Sequence, residues 1–154
     1  MSVTLDLQSE VEGGPEEDDI RRWIETVLAT EAYSADVELT VRVVDEDEMA
    51  ALNARYRHKT GPTNILSFPF EAPPGVELNL LGDLVIAAPV VKQEASEQGK
   101  TESAHWAHMI VHGTLHLLGY DHQDPADAED MEAREIRILK QLGYSNPYLL
   151  DEAS

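Results

Sequence analysis

Val3, Leu5 and Leu7 alternate with polar residues, the period of a half-buried strand. An acidic, Gly- and Pro-containing bend follows and runs into a helix near Pro15. Glu16, Glu17, Asp18 and Asp19 lie at its start, where the helix dipole favours negative charge. Ile20, Trp23, Ile24, Val27 and Leu28 then recur at helical spacing. Val37, Leu39, Val41 and Val43 predict a β-branched strand over residues 36–44. Asp45 and Glu48 form a capping-box pair that opens a helix reaching about Tyr56. Residues 57–64 read as a loop, 65–70 as a short strand limited by Pro69, and 71–80 as a Pro/Gly loop with the make-up of a mobile flap. Residues 81–88 predict a buried strand, and Pro89 opens a helix that Gly99 interrupts.

The most apolar helix is predicted over residues 101–118, with little room for a water-facing side, which places it in the middle of a domain. Gly119 ends it as a left-handed residue. Asp124 and Pro125 start the last helix, with Met131, Ile136, Ile138, Leu139 and Leu142 as its core residues, and the tail after Gly143 reads as loose. Strands and helices are mixed without strict alternation. The expected class is therefore α+β: a small mixed sheet covered by helices, in one domain over residues 1–154.

Composition narrows the chemistry. The chain has 154 residues, 42% of them hydrophobic, and no cysteine, which excludes disulfide scaffolds, Cys-ligated zinc and thiol nucleophiles. Residues 103–120 lack Asp, Glu, Lys and Arg, but the run contains His105, His108, His112 and His116, which argues against a lipid-exposed span. With no basic leader at the start, the expectation is a soluble cytoplasmic protein with no membrane partner. The net charge of −19 removes any bulk basic footprint for nucleic acid.

Candidate chemistry concentrates in HGTLHLLGYDH, residues 112–122. His112 and His116 are four residues apart on a helix, about 6 Å along its axis. The turn at Gly119 can return His122 beside them. Three converging imidazoles suit one zinc ion with a fourth position open for water or substrate, although nickel would also accept such a set. The spacing equals that of the metzincin motif HExxHxxGxxH, but Gly113 stands where those peptidases carry their general base. Water activation then falls to the metal, or to a carboxylate such as Asp121 or Asp83. Asp121 could also orient an imidazole, or be no more than an exposed turn residue. His105 and His108 sit too far up the helix to share that metal and are assigned to packing or to positions behind it.

Charge is unevenly spread. Between Met49 and Phe70 there is no Asp or Glu, while Arg55, Arg57 and Lys59 give the strip +3, leaving −22 on the rest. Such a strip, with Asn64 and Ser67 beside it, suits an anionic substrate if it lies next to the metal.

LNARYRHKTGPTNILSFPFE (residues 52–71), LGDLVIA (81–87) and HMIVHGTLHLLGYDH (108–122) occur in this order, and together they resemble the YbeY-type endoribonuclease family of rRNA maturation factors. The resemblance implies an α+β fold related to zinc-dependent proteases, with a central helix carrying the metal ligands. It implies one zinc ion held by His112, His116 and His122, with catalytic roles for His112 and Arg57. It implies a cytoplasmic single-strand endoribonuclease acting in small-subunit rRNA 3′-end maturation and ribosome quality control, with rRNA and the small subunit or its proteins as partners. Two other readings stand beside it: a metallopeptidase-like hydrolase, and a non-catalytic assembly factor with a structural zinc. The acidic total leaves two routes to RNA, a locally positive cleft or presentation of the RNA by a basic partner.

Overall fold

A computed structural model describes residues 2–33, 35–71, 73–75, 79–121 and 123–148. The elements follow as β1 (Val3–Ser9), α1 (Glu17–Thr30), β2 (Val37–Val44), α2 (Glu46–Arg57), β3 (Ile65–Pro69), β4 (Leu80–Ala87), α3 (Ala88–Glu97), α4 (Glu102–Leu117) and α5 (Pro125–Gln141). The strands form one sheet in the order β1-β2-β4-β3, parallel except for the antiparallel β3–β4 pair. The expected α+β class with a mixed sheet is the one observed. Among the described residues no helix is long and apolar enough to cross a membrane.

Strand alternation assigns each helix to a face. Leu39, Val41, Val43, Ile65, Leu84 and Ile86 point to one side, where they pack with α1, α4 and α5. Val44, Leu66, Val85 and Ala87 point to the other, where Met49 of α2 completes a smaller cluster. β4 lies inside the sheet with residues Leu84, Val85, Ile86 and Ala87 all buried, which explains why its sequence is a continuous apolar run.

α4 packs against α1, α3, α5, β3 and β4. Its four histidines, Thr114 and Gly113 give it modest intrinsic helicity, so packing has to hold it. Ile110 and Leu115 are fully buried, and burial of such a side chain contributes about 1.5–3 kcal/mol. Thr101 caps the helix by accepting from Ala104 N at 3.1 Å. At the other end the chain closes in a Schellman turn: Gly119 N donates to His116 O at 3.0 Å and Tyr120 N to Leu115 O at 3.1 Å, with Gly119 at φ +104°.

One expectation falls partly outside the described residues and two change. Residue 72 and residues 76–78 of the expected flap lie outside the described residues. Ile136 is only half-buried, while its neighbour Glu135 is buried in the core. The described part of the segment after Gly143, residues 144–148, is seated rather than loose: Pro147 is buried and Tyr144 OH lies 2.8 Å from Ser103 Oγ. A tyrosine places its ring on apolar surface when its hydroxyl finds a partner, and the partners here come from distant elements.

The register of β4 against β2 shifts between Glu38 and Leu39, which pair with Leu80 and Gly82. Leu81 is the extra residue of a bulge. Gly82 has φ +141°, and a Cβ there would stand 2.2 Å from the Phe68 carbonyl oxygen. Gly82→Ala is expected to lower stability by at least about 3 kcal/mol, from backbone strain plus the clash. Urea unfolding monitored by circular dichroism measures it, and a loss under 1 kcal/mol (about one-third of this) would contradict the geometry.

Candidate functional site: a histidine stripe braced by a buried carboxylate

His105, His108, His112 and His116 form one stripe along α4, with successive ring centroids 6.1, 6.4 and 4.7 Å apart. The first two are buried and the last two are half-buried. His105 Nε2 lies 2.9 Å from Glu94 Oε1, and Glu94 also accepts from Asn64 Nδ2 at 3.2 Å, tying α3 and α4 to the start of β3. His105 is thus buried among packed elements, while His108, the other histidine expected to pack or to stand behind the metal, contacts a different carboxylate.

Glu135 of α5 is 1% exposed. Its Oε1 lies 2.6 Å from His108 Nε2 and 3.3 Å from His112 Nδ1, and both its oxygens accept from Tyr148 OH at 3.1 Å. Burial alone would raise its pKa. The hydrogen bonds from His108 and His112 and their charges outweigh that and bring it to about 2. An ionised carboxylate can only accept, so the two imidazole nitrogens facing it are placed to donate.

The turn after α4 is fixed separately. Tyr120 OH and Arg134 Nη1 both donate to Glu31 Oε1 at 2.6 Å, and the Arg134 guanidinium lies 4.4 Å from the centre of the Tyr120 ring. This pins the chain leaving Gly119 to the end of α1 and to α5. Asp121 follows, half-buried. His122, the third expected ligand, lies outside the described residues. Two of the three expected ligands, His112 and His116, are thus placed side by side, and among the described residues no group of three metal-binding side chains occurs.

Gly113 lies in α4 where the helix meets the sheet. A Cβ there would come within 2.7 Å of Ile65 Cδ1, 2.8 Å of Leu84 Cδ2 and 3.3 Å of Ser67 Oγ. The position that carries the base in metzincins has no room here for a side chain in the present packing. Ser67 shares the α4 side of the sheet. Asp83 does not: it pairs with Thr40 and Phe68 on the α2 side and is exposed. It is therefore corrected as a source of water activation at the histidines. Arg57 ends α2 on that same far side and is exposed. On that side Tyr56 packs edge-on against Phe68 at 5.1 Å, with Arg55 5.8 Å from the Tyr56 ring centre.

Sequence reading missed Glu135 and Tyr148. A signal for Glu135 was present: it falls on the stripe Met131, Glu135, Ile138, Leu139, four and three residues apart, so the period of α5 itself puts a carboxylate on the core face. Tyr148 had no such signal, because no periodic element contains it.

Fold and site together define an α+β protein whose most apolar helix carries a histidine pair backed by a buried carboxylate. The model of the family described as Endoribonuclease YbeY matches residues 6–143. The chain belongs to this family. A protein of Alteromonas mediterranea named Endoribonuclease YbeY is 54% identical over 159 residues, covering 99% of this chain and all of that one. The solution structure of TM1509 from Thermotoga maritima superposes with a TM-score of 0.65 at 24% identity, covering 90% of this chain and 89% of that one, a likeness of fold.

Gly113→Glu is expected to cost at least about 3 kcal/mol, from overpacking plus a buried charge, read as a fall in the urea midpoint. A variant as stable as the unaltered protein would show that the helix–sheet contact is not tight. A second expectation concerns pH. The His105 pKa lies below 6.5 because burial outweighs the hydrogen bond to Glu94, with Lys100 and His108 nearby. Above pH 6.5 the ring is neutral in both folded and unfolded chains. Below it the unfolded chain binds a proton that the folded one refuses, so stability falls until the lower folded pKa is passed. The slope from this group is at most about 1.4 kcal/mol per pH unit. His105→Gln keeps an N–H for Glu94 and should flatten that part of a melting-temperature profile taken from about pH 7.5 to about 5.

Proposed function

We propose that the chain is a metal-dependent single-strand endoribonuclease of the cytoplasm, acting in small-subunit rRNA 3′-end maturation and ribosome quality control. Zinc is the ion, one per chain, with His112, His116 and His122 as its ligands. The observation that carries this is the pairing of His112 and His116 on a buried helix, with His112 Nδ1 3.3 Å from the buried Glu135 Oε1. An imidazole that donates from Nδ1 keeps the lone pair of its other nitrogen for a cation, and half-burial leaves the pair within reach of a ligand. When bound, the ion supplies Lewis-acid stabilisation of a phosphoryl oxygen and lowers the pKa of a bound water to about 7.

The chain's own residues supply the rest. Arg57, on the α2 side of β3, contributes charge to the RNA backbone where it passes that edge, with Arg55 and Lys59 beside it. Tyr56, 55% exposed and resting on Phe68, offers a base-stacking face in a basic stretch of chain without carboxylates. This surface flanks β3, the edge strand, whose Ser67 faces α4 while Phe68 faces α2. A strand of RNA bent around that edge would touch both sides. The name of the Alteromonas relative supports the reaction class. The lack of space at Gly113 speaks against the peptidase alternative. The strongly acidic remainder suits docking on basic proteins of the small subunit, which would present the RNA.

The purified protein should cut a single-stranded RNA oligonucleotide, stop cutting on chelation, and recover with zinc. His112→Ala should abolish cutting. Arg57→Ala should lower the rate by roughly 10–100-fold and reduce the salt slope of RNA binding by about 0.7. Full activity of His112→Ala without bound metal would overturn the mechanism.

A further inference from the structure

Four donor contacts from three side chains converge on one buried carboxylate, and this is more than packing requires. His108 and Tyr148 alone would satisfy Glu135 inside the core. The contact to His112 is the one that reaches toward the half-buried pair, and it uses the same oxygen, Oε1, that His108 holds at 2.6 Å. Since His108 Nε2 and Tyr148 OH fix that oxygen, its position is set before His112 meets it. A free neutral histidine side chain favours the proton on Nε2, the nitrogen a metal would need. An acceptor at Nδ1 reverses that preference.

We infer that Glu135 is a positioning residue: clamped by His108 and Tyr148, it holds the His112 proton on Nδ1 and thereby presents Nε2 as the ligand nitrogen. The inference rests on the metal-site reading above and deepens it. It also gives the segment at residues 145–148 a task at the site. Tyr148 is the only contact by which the described part of that segment reaches Glu135, and its ring packs edge-on to His108 with centroids 5.5 Å apart. Glu135 does not touch substrate in this scheme and acts only through His112.

The test uses the full chain, metal-free and 15N-labelled, with zinc affinity measured by competition against a chromophoric chelator. In the unaltered protein the imidazole 15N shifts should show His112 protonated on Nδ1. Glu135→Ala should move that proton to Nε2 and weaken zinc binding roughly 10–100-fold. Glu135→Gln keeps an acceptor oxygen and should restore most of the affinity. Tyr148→Phe alters a side chain at the surface, keeps the core intact, and should weaken zinc binding severalfold, so it carries the test if Glu135→Ala does not fold. Unchanged tautomer and affinity in the folded Glu135→Ala protein, or in Tyr148→Phe where Glu135→Ala is unfolded, would overturn the role of Glu135 while leaving the metal reading standing. Failure of the unaltered protein to bind zinc would instead overturn the metal reading and this inference together.

Discussion

A ring N–H taken out of water costs free energy unless it finds an acceptor, and α4 carries histidines along a helix that is otherwise almost wholly apolar. That requirement organises the molecule around it. His105 recruits Glu94 from α3, while His108 and His112 share Glu135 from α5. Each acceptor is itself a buried or half-buried carboxylate that needs donors, so Asn64 and Tyr148 are drawn in to complete them. The helices beside α4 are thus held by apolar contact and also registered by polar pairs, and the register is what sets where His112 stands.

Much of this was legible from periodicity. The helical spacing of Ile20, Trp23, Ile24, Val27 and Leu28 gives α1 and its buried face, and the alternation at residues 37–43 gives β2 and its buried face. The stop at Gly119 was readable because a left-handed glycine after an apolar helix has few other uses. What escaped was relational. The period of α5 marks position 135 as inward-facing, but only the position of α4 explains why a carboxylate belongs there. Asp83 looked available as a base because a strand's two sides are equivalent until the neighbours are known. Tyr148 lies in a short irregular segment, where sequence gives no direction to a side chain.

Electrostatics follows the same division. Most carboxylates are spread over the surface, and the few that are buried are matched to donors. The stretch from Met49 to Phe70 carries none. It folds into α2, a loop and β3, so absence along the sequence becomes a continuous surface with exposed Arg57, Lys59 and Tyr56. An acidic protein can offer a polyanion a landing place only where its own field is locally relieved, and this surface meets that condition beside the edge strand.

The strand order has a bearing on biosynthesis. β4 lies between β2 and β3 yet is the last strand to be made, so β2 gains its second neighbour only when residues 80–87 have emerged. Until then a nascent chain holds a βαβ half with one open flank, rich in valine. Such a flank is a template for wrong partners. Glu38 and Arg42 interrupt the apolar run of β2, the placement of charge that disfavours wrong pairing on a strand awaiting its neighbour.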